Sequence, residues 1–118
     1  MKTTFLSTLL LLISFSYSQE KMTIKEMATY QTDLMIKELN LDVAQQKTVS
    51  EINLKYSEKQ KALMDAEGSM FGKIGDMKKI KKNKNLELEK VLTKEQMKLY
   101  EDVVEPEIRS YMRKQMKN

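Results

Sequence analysis

The stretch LDVAQ at residues 41–45 recurs as LTKEQ at residues 92–96, and these two copies decide how the chain is divided into helices. Each copy has a leucine, then an N-capping residue, Asp42 or Thr93, and a glutamine three positions after the cap. The cap side chain accepts a hydrogen bond from the first helical turn, while the glutamine reaches back to the N–H of the cap. The pattern therefore predicts a capping box, and a helix start, at both places.

The similarity between the two copies continues beyond the capping residues. It aligns Lys47 with Lys98, Val49 with Tyr100, Glu51 with Asp102 and Ile52 with Val103. Two copies offset by 51 residues indicate internal pseudo-symmetry and not a solenoid, which needs more repeats.

Apolar residues at helical spacing predict four helices, and no segment shows the alternation of a strand. The first helix is predicted to begin at Thr23, with a third capping box, and to end at Asn40. The other three are predicted to begin at Asp42, near Ser69 and at Thr93. The predicted fold class is all-α, with four amphipathic helices in an elongated helical-hairpin arrangement.

All three glycines of the chain, Gly68, Gly72 and Gly75, lie within eight residues, around the junction of the second and third predicted helices. Each glycine disfavours helix by about 1 kcal/mol relative to alanine, so a turn is predicted near Gly68. The sequence leaves open whether the two helices form a hairpin or one bent rod.

The third helix carries two lysines inside its apolar stripe. Lys81 and Lys84 share that stripe with Met70, Ile74, Met77, Ile80, Leu88 and Val91. A sealed core would not accept two ammonium groups, so this face is expected to be partly open, with the lysine heads in water.

The fourth helix contains a proline. Its stripe keeps the same phase on both sides of Pro106, through Met97, Tyr100, Val104, Ile108, Tyr111 and Met112. The pattern therefore predicts a kinked helix that continues past the proline.

The N-terminus has the pattern of a secretory signal peptide over residues 1–18. Lys2 supplies the positive charge, residues 5–15 are mostly apolar, and Ser16-Tyr17-Ser18 is a small-x-small cleavage site. This apolar run is shorter than a bilayer span, so no stable membrane insertion is expected after cleavage. The expected product is a single helical domain over residues 19–118, located in the periplasm, or secreted if there is no outer membrane.

The composition argues against catalysis. The sequence has no histidine and no cysteine, which removes the commonest general base, the commonest metal ligand and the thiol nucleophile. We therefore expect no enzymatic activity, no metal and no cofactor. The net charge of +4 favours anionic partners, but it does not indicate nucleic-acid binding.

The two motifs resemble the Leu-Thr-x-x-Gln signature of the periplasmic Spy/CpxP-like family. The matching residues are Leu41, Asp42 and Gln45 in the first copy and Leu92, Thr93 and Gln96 in the second. The first copy departs from the signature at Asp42, where threonine is usual, but aspartate caps a helix equally well. The resemblance implies an all-helical protein of the envelope stress response, a cradle-like homodimer, and ATP-independent chaperone activity towards unfolded or partly folded proteins.

Methionines and lysines supply the predicted binding surface. The candidate client-binding residues are Met64, Met70, Phe71, Ile74, Met77 and Lys81, and the candidate basic patch is Lys78, Lys79, Lys81, Lys82 and Lys84. Flexible thioether side chains pack against varied apolar partners, while lysines attract acidic groups over longer distances. Two alternatives stay open: an adaptor that represses an envelope sensor protein, and a binder of anionic polymer or lipid.

Overall fold

A computed structural model describes residues 22–117, and the predicted signal segment lies outside them. The described chain is helical and has no strand, which confirms the predicted all-α fold. None of its helices is long and apolar enough to cross a membrane. The elements are α1 (Ile24–Leu39), α2 (Val43–Asp65), α3 (Met70–Val91), α4 (Lys94–Leu99), a π-helical turn (Tyr100–Val104) and α5 (Glu105–Lys117).

The helix boundaries follow the caps that the sequence predicts. Asp42 and Thr93 each form a complete capping box with the glutamine three residues later. Asn40 ends α1 in the left-handed conformation, with φ 53°. Thr23 caps α1, but Glu26 accepts from the Thr23 hydroxyl at 3.1 Å, so the third predicted box has only its first half.

The second and third predicted helices form a hairpin, which settles the alternative that the sequence left open. Helices α2 and α3 pack against each other, and residues 66–69 connect them. Gly68 has φ 121°, a backbone conformation that residues with a Cβ rarely adopt. Ser69 then caps α3 by accepting from the Gly72 N–H at 3.3 Å.

The hydrophobic core occupies one end of this hairpin. We call residues 58–83 the hairpin arm, because no side chain in that range is buried. The rest of the described chain is the core end, where α1 packs against α2 and the π-helical turn. Its buried side chains include Met35, Leu39, Leu41, Val49, Ile52, Tyr56, Leu88, Leu92, Met97, Tyr100, Val104 and Ile108.

The fourth predicted helix continues past Pro106, as predicted, but its irregularity lies before the proline. In the π-helical turn, the Glu105 N–H donates to the carbonyl of Tyr100, five residues earlier. A π-helical turn adds one residue to a helix, so the side chains after it are shifted by one position. Val104 is fully buried and Val103 is 40% exposed, so Val104, and not the Val103 that aligns with the buried Ile52 in sequence, faces the core.

Helix α5 is held against α1 by aromatic and apolar contacts. The rings of Tyr30 and Tyr111 stack with their centroids 3.9 Å apart. Ile108 lies in the core, and Met112 packs against it. The fourth predicted stripe therefore keeps its inward direction on both sides of the proline.

Candidate functional site

The two sequence repeats meet directly through their glutamines. The Gln45 side-chain amide donates to Gln96 Oε1 at 2.7 Å, and the Gln96 amide donates to Gln45 Oε1 at 3.3 Å. Each of these oxygens also accepts from the N–H of its own cap, Asp42 or Thr93, at 3.1 and 3.0 Å. The two capping boxes thus form one reciprocal structure, which we call the glutamine clasp.

The clasp also binds the C-terminal ends of α1 and α3. The Gln45 amide donates to the carbonyl of Val91, the last residue of α3, at 3.1 Å. The Gln96 amide donates to the carbonyl of Leu39, the last residue of α1, at 3.1 Å. Four helix ends therefore share two side chains, and carbonyls that a helix leaves without partners are satisfied. The motif residues serve the fold, as expected for caps, but the sequence did not reveal that the two copies bind each other.

Lys84 contradicts the expectation that the lysine heads of α3 lie in water. Its side chain is buried, and Lys84 Nζ donates to Gln31 Oε1 of α1 at 2.9 Å. It therefore does not belong to the exposed basic patch. Burial lowers the pKa of Lys84 to about 8, and the charge of Glu105 opposes this shift. A long stem and a neutral amide partner explain how α3 accepts the residue inside its stripe.

Other polar side chains are buried between α1 and α2. Asn53 is fully buried and its amide donates to Thr32 Oγ1 at 3.0 Å, while Thr32 donates to the carbonyl of Ala28 at 2.9 Å. Asn53 Oδ1 and Ser57 Oγ are buried without a hydrogen-bond partner among the described residues. This polar layer costs stability, because a buried donor or acceptor without a partner loses its bonds to water.

An ionic contact fastens the base of the arm. Glu87 of α3 accepts from Lys55 Nζ at 2.6 Å and from the Tyr56 hydroxyl, both on α2. The hydrogen bond from Lys55, and to a smaller extent the bond from Tyr56, lower the pKa of Glu87. The bond to Glu87 in turn raises the pKa of Tyr56 to about 12. The two helices of the hairpin are thus fixed to each other where the arm begins.

The end of the arm carries apolar side chains that the fold does not cover. Phe71 is 88% exposed and Met70 is 60% exposed. Ile74 and Met64 are also exposed, whereas Met77 is half-buried. Met70 and Ile74 are exposed because the core ends before the hairpin does, so this part of the apolar stripe of α3 is open, as the sequence predicted. Five of the six predicted client-binding residues lie on this part of the arm.

Some lysines beside this apolar group have partners within the fold, and others form no ion pair. Lys73 Nζ donates to the carbonyls of Met64 and Ala66, at 3.1 and 2.5 Å, and so caps the end of α2. Lys81 is exposed but pairs with Glu105 of α5 at 2.9 Å. Three others, Lys78, Lys79 and Lys82, are exposed and form no ion pair with any described residue.

A shallow groove follows the outer face of α3, next to these lysines. It has a volume of about 330 Å³ and is lined by Lys78, Lys81, Lys82, Asn85, Leu86 and Glu89. Between residues 22 and 117 there is no group of three or more carboxylate side chains placed to hold a metal ion. The outer face therefore offers a ligand an open and largely apolar groove that is flanked by lysines.

The fold and this surface define a small helical protein whose two repeats are joined at one end and whose hairpin extends beyond the core at the other. Residues 16–100 match the family described as Domain of unknown function (DUF4890), and the chain belongs to that family. The match includes both motif copies and the whole arm. The comparison with curated proteins found no match, and the comparison with solved structures found none either.

Proposed function

We propose that this protein is an ATP-independent chaperone of the cell envelope, which holds unfolded or partly folded proteins on its hairpin arm. The observation that carries the proposal is the group of exposed apolar side chains on the arm, above all Phe71, which is 88% exposed. Exposed apolar groups of this kind mark interaction sites in soluble proteins. The lysines next to them suit clients that expose both apolar and acidic groups.

The proposed mechanism is holding without a chemical step. Lysines attract acidic clients over about 10 Å at moderate salt, which speeds encounter. Met64, Met70 and Met77 then contact apolar segments, and their flexible side chains re-pack for different clients. The absence of histidine and cysteine from the sequence is consistent with a protein that carries out no catalysis.

The resemblance to the Spy/CpxP-like family supports the location and the assembly in this proposal. Both Leu-x-x-x-Gln copies begin helices and form capping boxes. From the same resemblance we propose a cleaved signal peptide, a periplasmic location and a homodimer. N-terminal sequencing of the exported protein is expected to find its first residue near Gln19. Light scattering is expected to give twice the mass of one chain, and a monomer at all concentrations would contradict the dimer.

The test of the function is suppression of aggregation, without nucleotide, for two chemically unlike denatured proteins. We expect the wild-type protein to suppress both near stoichiometry. Phe71→Ser is expected to weaken suppression of both, because it removes the most exposed apolar side chain of the arm. Val43→Ser is the matched control, because Val43 is 81% exposed but lies at the core end. Equal loss in both variants, or no suppression by the wild type, would contradict the proposal.

The same experiment separates the chaperone from an adaptor for an envelope sensor. An adaptor would bind one partner saturably and leave both denatured proteins to precipitate. A binder of anionic polymer or lipid would also fail to suppress aggregation, and its ligand would be released by moderate salt and by replacing lysines 78, 79, 81 and 82 with glutamine.

A further inference from the structure

Two glycines lie inside the first turns of α3 without a steric reason. A Cβ at Gly75 would meet no atom within 4 Å, and one at Gly72 would be 3.7 Å from Ser69 Oγ, an ordinary contact. Alanine would therefore fit at both positions. Each glycine lowers helix stability by about 1 kcal/mol relative to alanine. The first turns of α3 are thus less stable as a helix than they would be with alanine, although the packing would allow alanine.

Few tertiary contacts compensate for this weakness. Between Ser69 and Asp76 only Lys73 is half-buried, and the other residues are exposed. The bonds from Lys73 to two carbonyls at the end of α2 are the polar side-chain contacts that tie this segment to α2. Helix segments with exposed backbone bonds and few buried apolar contacts open at a low cost in free energy.

The weak turns are also the turns that present the apolar side chains. Met70, Phe71 and Ile74 are exposed within the same two turns. The unpaired Lys78, Lys79 and Lys82 follow within the next two turns, and Asp76 is the one carboxylate among residues 69–86 of the sequence. An occupant that covers the apolar side chains would place its neighbouring groups against an excess of positive charge.

We propose that Ser69–Asp76 is an adaptable docking segment for apolar peptide stretches that carry carboxylates, and that Gly72 and Gly75 allow its helix to rearrange around occupants of different shape. This inference rests on the proposed function and specifies which clients bind and which element changes shape. A segment of this kind fits many partners, whereas an interface for one partner gains affinity from rigidity.

The first test measures amide hydrogen exchange in the free protein. We expect the amides of residues 74–76, which already have acceptors inside the helix, to exchange at least about tenfold faster than those of residues 84–91 in the same helix. Gly72→Ala with Gly75→Ala is expected to slow exchange in the first segment. The matched control is Ser50→Ala with Asn83→Ala, which raises helix propensity at exposed positions outside it. Equal protection in both halves of α3 would overturn the inference whether or not the protein is a chaperone.

The second test uses two fluorescein-labelled 12-residue peptides, one of alternating leucine and glutamate and one of alternating leucine and lysine. At low salt the glutamate peptide is expected to bind about tenfold more tightly, a difference that salt reduces. Changing Lys78, Lys79 and Lys82 to glutamine should abolish the difference. The same changes at Lys25, Lys47 and Lys98, which remove equal charge elsewhere, should preserve it. Equal affinity for both peptides would overturn the charge preference.

The third test compares shapes. The glutamate peptide is offered in linear and in cyclised form, and the wild-type protein is expected to bind both. The double glycine-to-alanine variant is expected to lose at least about fivefold in affinity for one form, because a stiffer helix fits fewer shapes. If both forms bind the variant as they bind the wild type, the inference fails and the chaperone proposal stands. If the wild type neither binds peptides nor suppresses aggregation, the proposed function itself fails.

Discussion

The core end contains the buried apolar side chains of the described chain, whereas the hairpin arm leaves its own exposed or half-buried. At the core end, the glutamine clasp gives two side-chain amides four partners, and thirteen apolar side chains are buried. On the arm, no side chain is buried, and Phe71 is 88% exposed. The two ends of one hairpin are therefore built from the same helices but under different requirements.

Under the proposed function, this difference assigns stability to one part of the described chain and binding to the other. Burial of apolar area supplies most of the free energy of folding, so the core end holds the fold. The arm contributes little burial, so its sequence is free to present apolar and cationic groups to other molecules. Substitutions at the core end should change stability first, and substitutions on the arm should change binding first.

The largest difference in stability is expected between alanine substitutions at Leu88 and at Ile74, which lie on the same helix. Leu88 is fully buried and Ile74 is 47% exposed. Leu88→Ala should lower the free energy of unfolding by about 2–5 kcal/mol, because it leaves a cavity. Ile74→Ala should change it by less than about 1 kcal/mol. Urea denaturation measures both, and a larger effect at Ile74 would contradict the division into core end and arm.

The next effect concerns the glutamine clasp. Gln96→Ala should lower the free energy of unfolding by about 1–3 kcal/mol, because it leaves the Leu39 carbonyl and the Thr93 N–H without their partners. The double variant with Gln45→Ala should lose less than the sum of the single variants, because the two amides bind each other. Gln60→Ala on the arm is the control and should have little effect. Strict additivity would show that the two repeats are independent caps.

A smaller gain in stability is expected from Lys84→Met. Burial of the ammonium group opposes folding, and methionine has similar length without the charge, so we expect a gain of about 1–2 kcal/mol at pH 7. The gain is limited because Gln31 loses its partner. Lys81→Met is the control, since its exposed ion pair should be worth less than about 1 kcal/mol. Lower stability in Lys84→Met would show that the Gln31 contact outweighs the desolvation of the charge.

The pH dependence of stability gives an independent test of whether the Lys84 ammonium group is buried. Lys84 has a pKa of about 8 in the folded chain and an ordinary value of 10.5, so the unfolded state binds more protons between these values. Stability should therefore rise with pH across this window and should rise less in Lys84→Met. Thermal or urea denaturation between about pH 7.5 and 9.5 measures it, below the range where tyrosine ionises. Identical slopes in both proteins would contradict the buried position of the ammonium group.

The helix boundaries could be predicted from the sequence because their signals are local. Asn40, Gly68 and the caps at Asp42, Ser69 and Thr93 act within one turn of the helix that they start or end. The all-α fold followed from these signals and the apolar period.

The tertiary features could not be predicted in the same way. Nothing near Gln45 in sequence indicates that its partner is Gln96, 51 residues away. The apolar period of α3 runs from Met70 to Val91, but a period does not show where the neighbouring core ends. The burial of Lys84 likewise depends on Gln31 of another helix. The arm residues could be named as candidates, while their exposure required the packing of the hairpin.

The central claim is that the arm receives clients while the core end holds the fold. Amide hydrogen exchange of the protein, measured with and without a stoichiometric denatured client, tests it most directly. The account predicts that the client slows exchange in residues 64–82 and leaves the amides of α1 and α4 unchanged. Protection confined to α1 or α4, or no change anywhere while aggregation is suppressed, would contradict it.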